Sequence, residues 1–106
     1  MKKQTKGVII GASVGVIAGA IAGILLAPQS GEETREDIAS YLHEIKEKIA
    51  HEIAKAGEVT KDKYNEIVDK VVKIYEAEKK ISKTDATDII DKLGKNYQEI
   101  VKIAKK

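Results

Sequence analysis

The sequence predicts an all-α protein: an N-terminal glycine-zipper transmembrane helix followed by two or three amphipathic helices, paired as a small bundle or coiled coil. Three observations predict it. Residues 7–27 contain no charged side chain, although 34% of the 106 residues are charged. Beyond them, apolar residues recur at spacings of three and four, the period of a helix face. Between the two regions stands Pro28, the only proline, followed at once by a helix-start signal.

The expected boundaries are a basic arm over 1–6, the transmembrane helix over 7–27, a Pro/Gly break and cap over 28–31, and a charged helical tail over 32–106. At 106 residues the chain has room for one small domain. From Gln29 to Lys106 there are 16 Lys+Arg against 17 Asp+Glu, a net of −1, so the overall +2 comes from Lys2, Lys3 and Lys6. Such a mixed tail is unlike a nucleic-acid binder, which needs a one-sided basic surface. The absence of Phe and Trp removes stacking platforms. The absence of cysteine removes disulfides, thiolate metal sites and cysteine nucleophiles.

The apolar run is "GVIIGASVGVIAGAIAGILLA". As a helix rising ~1.5 Å per residue it spans roughly 31 Å, close to the ~30 Å hydrocarbon core of a bilayer. Its large aliphatic residues favour insertion by roughly 3 to 6 kcal/mol before Gly and Ser subtract from that. Gly7, Gly11, Gly15, Gly19 and Gly23 fall at every fourth position. On a continuous helix they form one slowly winding groove, with Ile10, Val14, Ile17, Ile21 and Ile24 as a ridge on the opposite side. Such a groove suits self-association or packing on another membrane helix. The same glycines also fit plain membrane-helix composition. A phosphate loop is excluded, because no GxGxxG and no Gly-Lys-Ser/Thr is present.

The lysines preceding the span place the N-terminus inside the cell and the tail outside. A cleaved signal peptide over residues ~1–22 is the competing expectation, with "AIA" (Ala20 to Ala22) as its cleavage site. The apolar run continues through "GILLA" beyond that site, which favours an uncleaved anchor.

Pro28 stops the first helix. Ser30 then serves as N-cap with Glu33 at the third helical position, a capping box, and Glu32, Glu36 and Asp37 suit the positive end of the next helix dipole. "GILLAPQSGEETRED" after a glycine-rich apolar span resembles the signature of the YtxH-like family, small bacterial proteins often labelled general stress or gas-vesicle-protein-like. The resemblance covers roughly Gly7 to Tyr41. Its most specific part runs from Leu25 through Leu26, Ala27, Pro28, Ser30, Gly31, Glu33 and Thr34 to Arg35. It implies a single-pass membrane protein with a helical tail, an envelope or stress role and no enzymatic activity.

In the tail, Ile38, Leu42, Ile45, Ile49 and Ile53 form one stripe. Tyr64, Ile67, Val71, Ile74 and Ile81 form a second, widened by Val68, Val72 and Tyr75. Ala86, Ile90, Leu93, Tyr97, Ile100 and Ala104 form a third. Helices are expected near 31–56, 59–81 and 85–105, with fusion of the first two as the alternative and no competing strand pattern. Gly57 is the expected C-cap of the first helix and Thr60 the N-cap of the second. Ser82 or Thr84 caps the third. Gly94 either permits close helix approach or weakens its helix.

No residue set points to chemistry. His43, Glu47 and His51 share one helix side, but lack the second His of a zincin motif and read as solvated surface. Glu32/Glu33, Glu36/Asp37 and Asp85/Asp88 are explained as helix-start acids. Ser13 and Ser30 lack a nearby base, and the four tyrosines fall at or beside stripe positions, where packing is expected. No catalytic, metal or cofactor site and no small-molecule substrate is inferred. The expected partners are the bilayer and a second helix of the same or another membrane protein. The function classes that follow are a membrane-anchored structural or interaction protein, a secreted helical protein, and a membrane-perturbing glycine-zipper oligomer.

Overall fold

Val8, Ile9 and Ile10 are three consecutive β-branched residues, and they adopt extended backbone rather than helix. The computed structural model describes residues 7–25 and 36–106, with side chains in the second stretch from Ser40 onward. Its elements are β1 (Val8–Ile9), α1 (Val14–Leu25), α2 (Glu36–Ala56), β2 (Glu58–Val59), α3 (Lys61–Ala77), α4 (Lys83–Lys95) and α5 (Tyr97–Ala104). The chain is thus mainly helical, as expected, but the apolar segment is divided. β1 pairs antiparallel with β2, Val8 opposite Val59 and Ile9 opposite Glu58.

This corrects the expectation of one continuous helix over 7–27. Stiff β-branched side chains favour extended backbone at 8–10. Ser13 then opens α1, its Oγ accepting from the Val16 N–H at 3.3 Å and its carbonyl from the Ile17 N–H at 3.1 Å. The resulting helix has 12 residues, a length of about 18 Å. Among the described residues no helix is long and apolar enough to cross a membrane. The short strands also correct the expectation of no strand at all. The break at Pro28, the capping box of Ser30 and Glu33, and the motif residues from Leu26 to Arg35 lie outside the described residues.

The tail follows the expected caps closely. α2 ends at Ala56, and Gly57 follows with φ +78°, the left-handed conformation that glycine adopts without a Cβ penalty. Thr60 Oγ1 accepts from the Lys63 N–H at 3.1 Å, and Ser82, rather than Thr84, accepts from the Asp85 N–H at 3.0 Å. The first two tail helices are therefore separate. The third expected helix is divided at Asn96, whose side-chain amide donates to the Lys92 carbonyl at 2.8 Å and closes the end of α4. A Cβ on Gly94 would meet only Asn65 Oδ1, at 4.0 Å, among the described residues. Alanine fits there, so close helix approach does not require this glycine.

The three stripes supply the core. Leu42, Ile45, Ile49 and Ile53 from α2, Tyr64, Ile67, Val68, Val71, Val72 and Tyr75 from α3, and Ala86, Ile89, Leu93, Ile100 and Ala104 from α4 and α5 are buried together. Ile89 takes the core place expected of Ile90, Ile90 and Tyr97 are partly buried, and Ile74 is 49% exposed. Two tyrosines are buried with their hydroxyls satisfied. Tyr64 donates to the Leu93 carbonyl at 2.7 Å, tying α3 to α4, and Tyr75 donates to Glu44 Oε1 at 2.9 Å, tying α3 to α2. The exposed faces carry pairs such as Lys92–Asp88 and Lys95–Asp91 at 3.2 and 3.1 Å, worth a few tenths of a kcal/mol each.

α3 closes with two reverse hydrogen bonds, Lys80 N–H to the Tyr75 carbonyl and Lys79 N–H to the Glu76 carbonyl, at 3.0 and 2.9 Å. This is a Schellman closure, and it holds Lys79 at φ 62°, a position usually given to glycine. Lys79→Gly is expected to raise the unfolding free energy by about 1 kcal/mol, and Gly57→Ala to lower it by a similar amount. Chemical denaturation of the two variants beside wild type checks both signs.

Burial pushes the Tyr64 hydroxyl well above the ordinary tyrosine range, with Tyr97 nearby adding to it. Tyr75 is pushed up to about 12 from 10.0, first by burial and then by its bond to Glu44. A raised folded-state pKa means stability that is intact below pH 10 and is lost as pH rises from 10 through 12. Helical circular dichroism is expected to hold to pH 10 and then fall together with a delayed rise of tyrosinate absorbance. Tyr64→Phe plus Tyr75→Phe shifts that loss to higher pH.

Candidate functional site

The feature that the fold organises is the docking of the apolar N-terminal segment on the tail. α1 packs against α2, α4 and α5. Ile17 and Ile21 have no exposure at all, and Ala18 and Leu25 are also buried. Ile10, Val14 and Ile24 pack at the margin of the same core. Of the ridge read from the sequence, Val14, Ile17, Ile21 and Ile24 lie on α1 and pack in or against the core shared with the tail, while Ile10 stands in the extended stretch before it.

A backbone zipper holds the extended part of the segment. Residues 8–12 lie between two chain stretches. On one side, beyond the β1–β2 pair, the Ile10 N–H donates to the Gly57 carbonyl at 2.9 Å. On the other, the Gly11 and Ala12 N–H groups donate to the Ala104 carbonyl at 2.9 and 3.1 Å, and the Lys106 N–H donates to the Ile9 carbonyl at 2.8 Å. Ile10 stands opposite Lys105 in this antiparallel bridge. Alternate residues point their backbone groups to alternate sides, so a single extended strand serves both neighbours.

The five glycines do not share one groove, which corrects the sequence reading. Gly7 and Gly11 precede α1, while Gly15, Gly19 and Gly23 lie on it. Gly11 is demanded by close approach, since a Cβ there would stand 2.7 Å from the Lys106 Cα. A Cβ on Gly7 would stand 2.6 Å from Glu58 Cγ, a side-chain atom that can move. Gly15, Gly19 and Gly23 are exposed. Among the described residues a Cβ at Gly19 or Gly23 meets nothing within 4 Å. Only the latter three still form a stripe, and no described residue approaches it closely enough to require their smallness.

The remaining candidates stay apart from any chemistry. His43, Glu47 and His51 are exposed on α2. Among the described residues no group of three His, Cys, Asp or Glu is placed to hold a metal ion. His51, Glu47 and Glu52 border an open depression of about 620 Å³ with Lys48 and Lys70 on its rim. Lys70 pairs across it with Glu52 at 3.5 Å. Ser13 was legible in the sequence only as a lone serine. Its place as the N-cap of a shorter helix could have been read from its position just ahead of Val14, after three β-branched residues.

Ridge and glycine face make opposite demands, and substitution separates them. Ile21→Ala is expected to destabilise the protein by about 2–5 kcal/mol through cavity formation. Gly19→Ala is expected to stabilise it by about 0.5–1 kcal/mol, since alanine is the better helix former and meets open space. Denaturant midpoints of the two single variants test this pair of signs.

The family model described as YtxH-like protein matches residues 9–105. That interval contains all but the margins of the docked segment and of the tail. Comparison with curated proteins and with solved structures finds no match.

Proposed function

The chain belongs to the YtxH-like family, and from that membership and its uncharged segment we propose that it is a non-catalytic, membrane-associating helical protein with an envelope or stress role. In this reading residues 7–27 engage the bilayer and the charged tail carries the contacts with other molecules. The observation that supports it most is the run of 21 residues without a charge in a chain where 34% of residues are charged. A water-soluble core needs only the ridge of such a segment to be apolar. Here the opposite face lacks polar side chains as well. Val16 is 51% exposed beside Gly15, and Gly19 and Gly23 follow it on the surface.

Spanning would require residues 8–13 to join α1 as helix. The N-terminus then faces the cytoplasm and the tail lies outside, following the three leading lysines. The glycine face of the lengthened helix suits a second helix, from another copy or another membrane protein.

The core weighs against the cleaved-signal alternative. Cleavage near Ala22 would remove Ile17, Ala18 and Ile21, all buried, and leave the inner faces of α2, α4 and α5 uncovered. A membrane-perturbing oligomer ranks last, because the long charged tail is unlike a minimal peptide toxin.

Fractionation of expressing cells, combined with intact-mass measurement, tests the proposal. The expected result is full-length protein in the membrane fraction, released by detergent and retained through an alkaline wash. Soluble protein lacking its first twenty-odd residues would establish the secreted reading instead.

A further inference from the structure

We propose that the backbone zipper joining residues 9–12 to residues 104–106 is a latch that decides whether the apolar segment stays in the bundle or enters a bilayer. The inference rests on the membrane-associating reading above and adds to it the device that controls it.

The two states compete for the same backbone groups. A membrane helix must satisfy each N–H and C=O internally, by bonds four residues apart. In the bundle the carbonyl of Ile9 is taken by Lys106, and the N–H groups of Gly11 and Ala12 by Ala104. The N–H of Ile10 is taken by Gly57. Extending α1 toward Gly7 requires all four bonds to open. Nor can the latch enter the bilayer closed, since Lys105 and Lys106 would be carried in with it, and buried charge is strongly disfavoured there. Docking and insertion are thus mutually exclusive, and the latch must open before the span can form.

Gly11 reports the docked state specifically. Its missing Cβ is what lets the Lys106 backbone approach, with a 2.7 Å separation that no side chain could accept. A continuous bilayer helix makes no comparable demand, and alanine serves it well. Gly11→Ala therefore opens the latch without harming the inserted form.

Absence of native cysteine permits a reversible lock. Ile10 and Lys105 face one another between the Gly11–Ala104 and Lys106–Ile9 bonds. That is the close, non-hydrogen-bonded type of antiparallel pair, whose Cα separation suits a disulfide. The experiment is flotation of the full chain with phosphatidylcholine vesicles, comparing wild type, Gly11→Ala, and the double variant Ile10→Cys plus Lys105→Cys before and after reduction. Opening the latch is expected to raise the ratio of vesicle-bound to free protein for Gly11→Ala roughly tenfold over wild type. The oxidised double variant is expected to stay off the vesicles and to bind them once reduced. Equal flotation of its oxidised and reduced forms overturns the latch and leaves membrane association standing. Failure of wild type, Gly11→Ala and the reduced double variant alike to float overturns the membrane-associating reading, and the latch with it.

Discussion

Burial of one side of α1 is the constraint on which the bundle depends. The tail helices α2, α4 and α5 present apolar faces that converge on Ile17 and Ile21, which have no solvent exposure. Without them the tail has narrow stripes and few aromatics, which is little core for a chain of this size. The cover also positions the strand before α1 and the residues that follow α5. Once α1 lies among these helices, the strand before it runs between Gly57–Val59 and residues 104–106. Backbone pairing then completes what side-chain packing began.

The same atoms that make this cover suitable for the bundle make it suitable for lipid. Full burial of an Ile or Leu side chain is worth about 1.5–3 kcal/mol, so Ile17, Ile21 and Leu25 together supply roughly 5 to 9 kcal/mol to the docked state. Insertion of the segment's large aliphatic residues offers roughly 3 to 6 kcal/mol before Gly and Ser subtract from that. In the membrane-associating reading proposed above, both environments reward the same side chains, so a handful of backbone hydrogen bonds bears on the choice between them. In the latch proposed above, the zipper at residues 9–12 is the contact that biases that choice.

Legibility differed sharply between the two halves of the chain. In the tail, local chemistry and tertiary environment agree. Thr60, Ser82 and Gly57 cap where their side chains or backbone freedom dictate, and most described stripe residues are buried, with Ile90 and Tyr97 partly so and Ile74 exposed. The division at Asn96 was missed because apolar spacing continues through it from Leu93 to Ile100, while the break itself is a local side-chain bond to Lys92. In the N-terminal segment the periodicity was real but its partner was ambiguous. A ridge of Val and Ile fits lipid and a protein core equally well, and spacing alone carries no information about which lies opposite. The long-range bonds to residues 104–106 have no signature near Ile9 or Gly11 at all.

The glycines show how one pattern can arise from separate causes. A repeat of four invites a single explanation, a groove on one helix. The bundle supplies a different one for its first members, since Gly11 admits the Lys106 backbone and Gly7 abuts the Glu58 side chain. It supplies none for Gly19 and Gly23, which meet open space among the described residues and weaken an exposed helix by about 1 kcal/mol each relative to alanine. Under the two-state reading proposed above, the register serves both states: close approach at Gly11 when docked, and one continuous small-residue face when helical throughout.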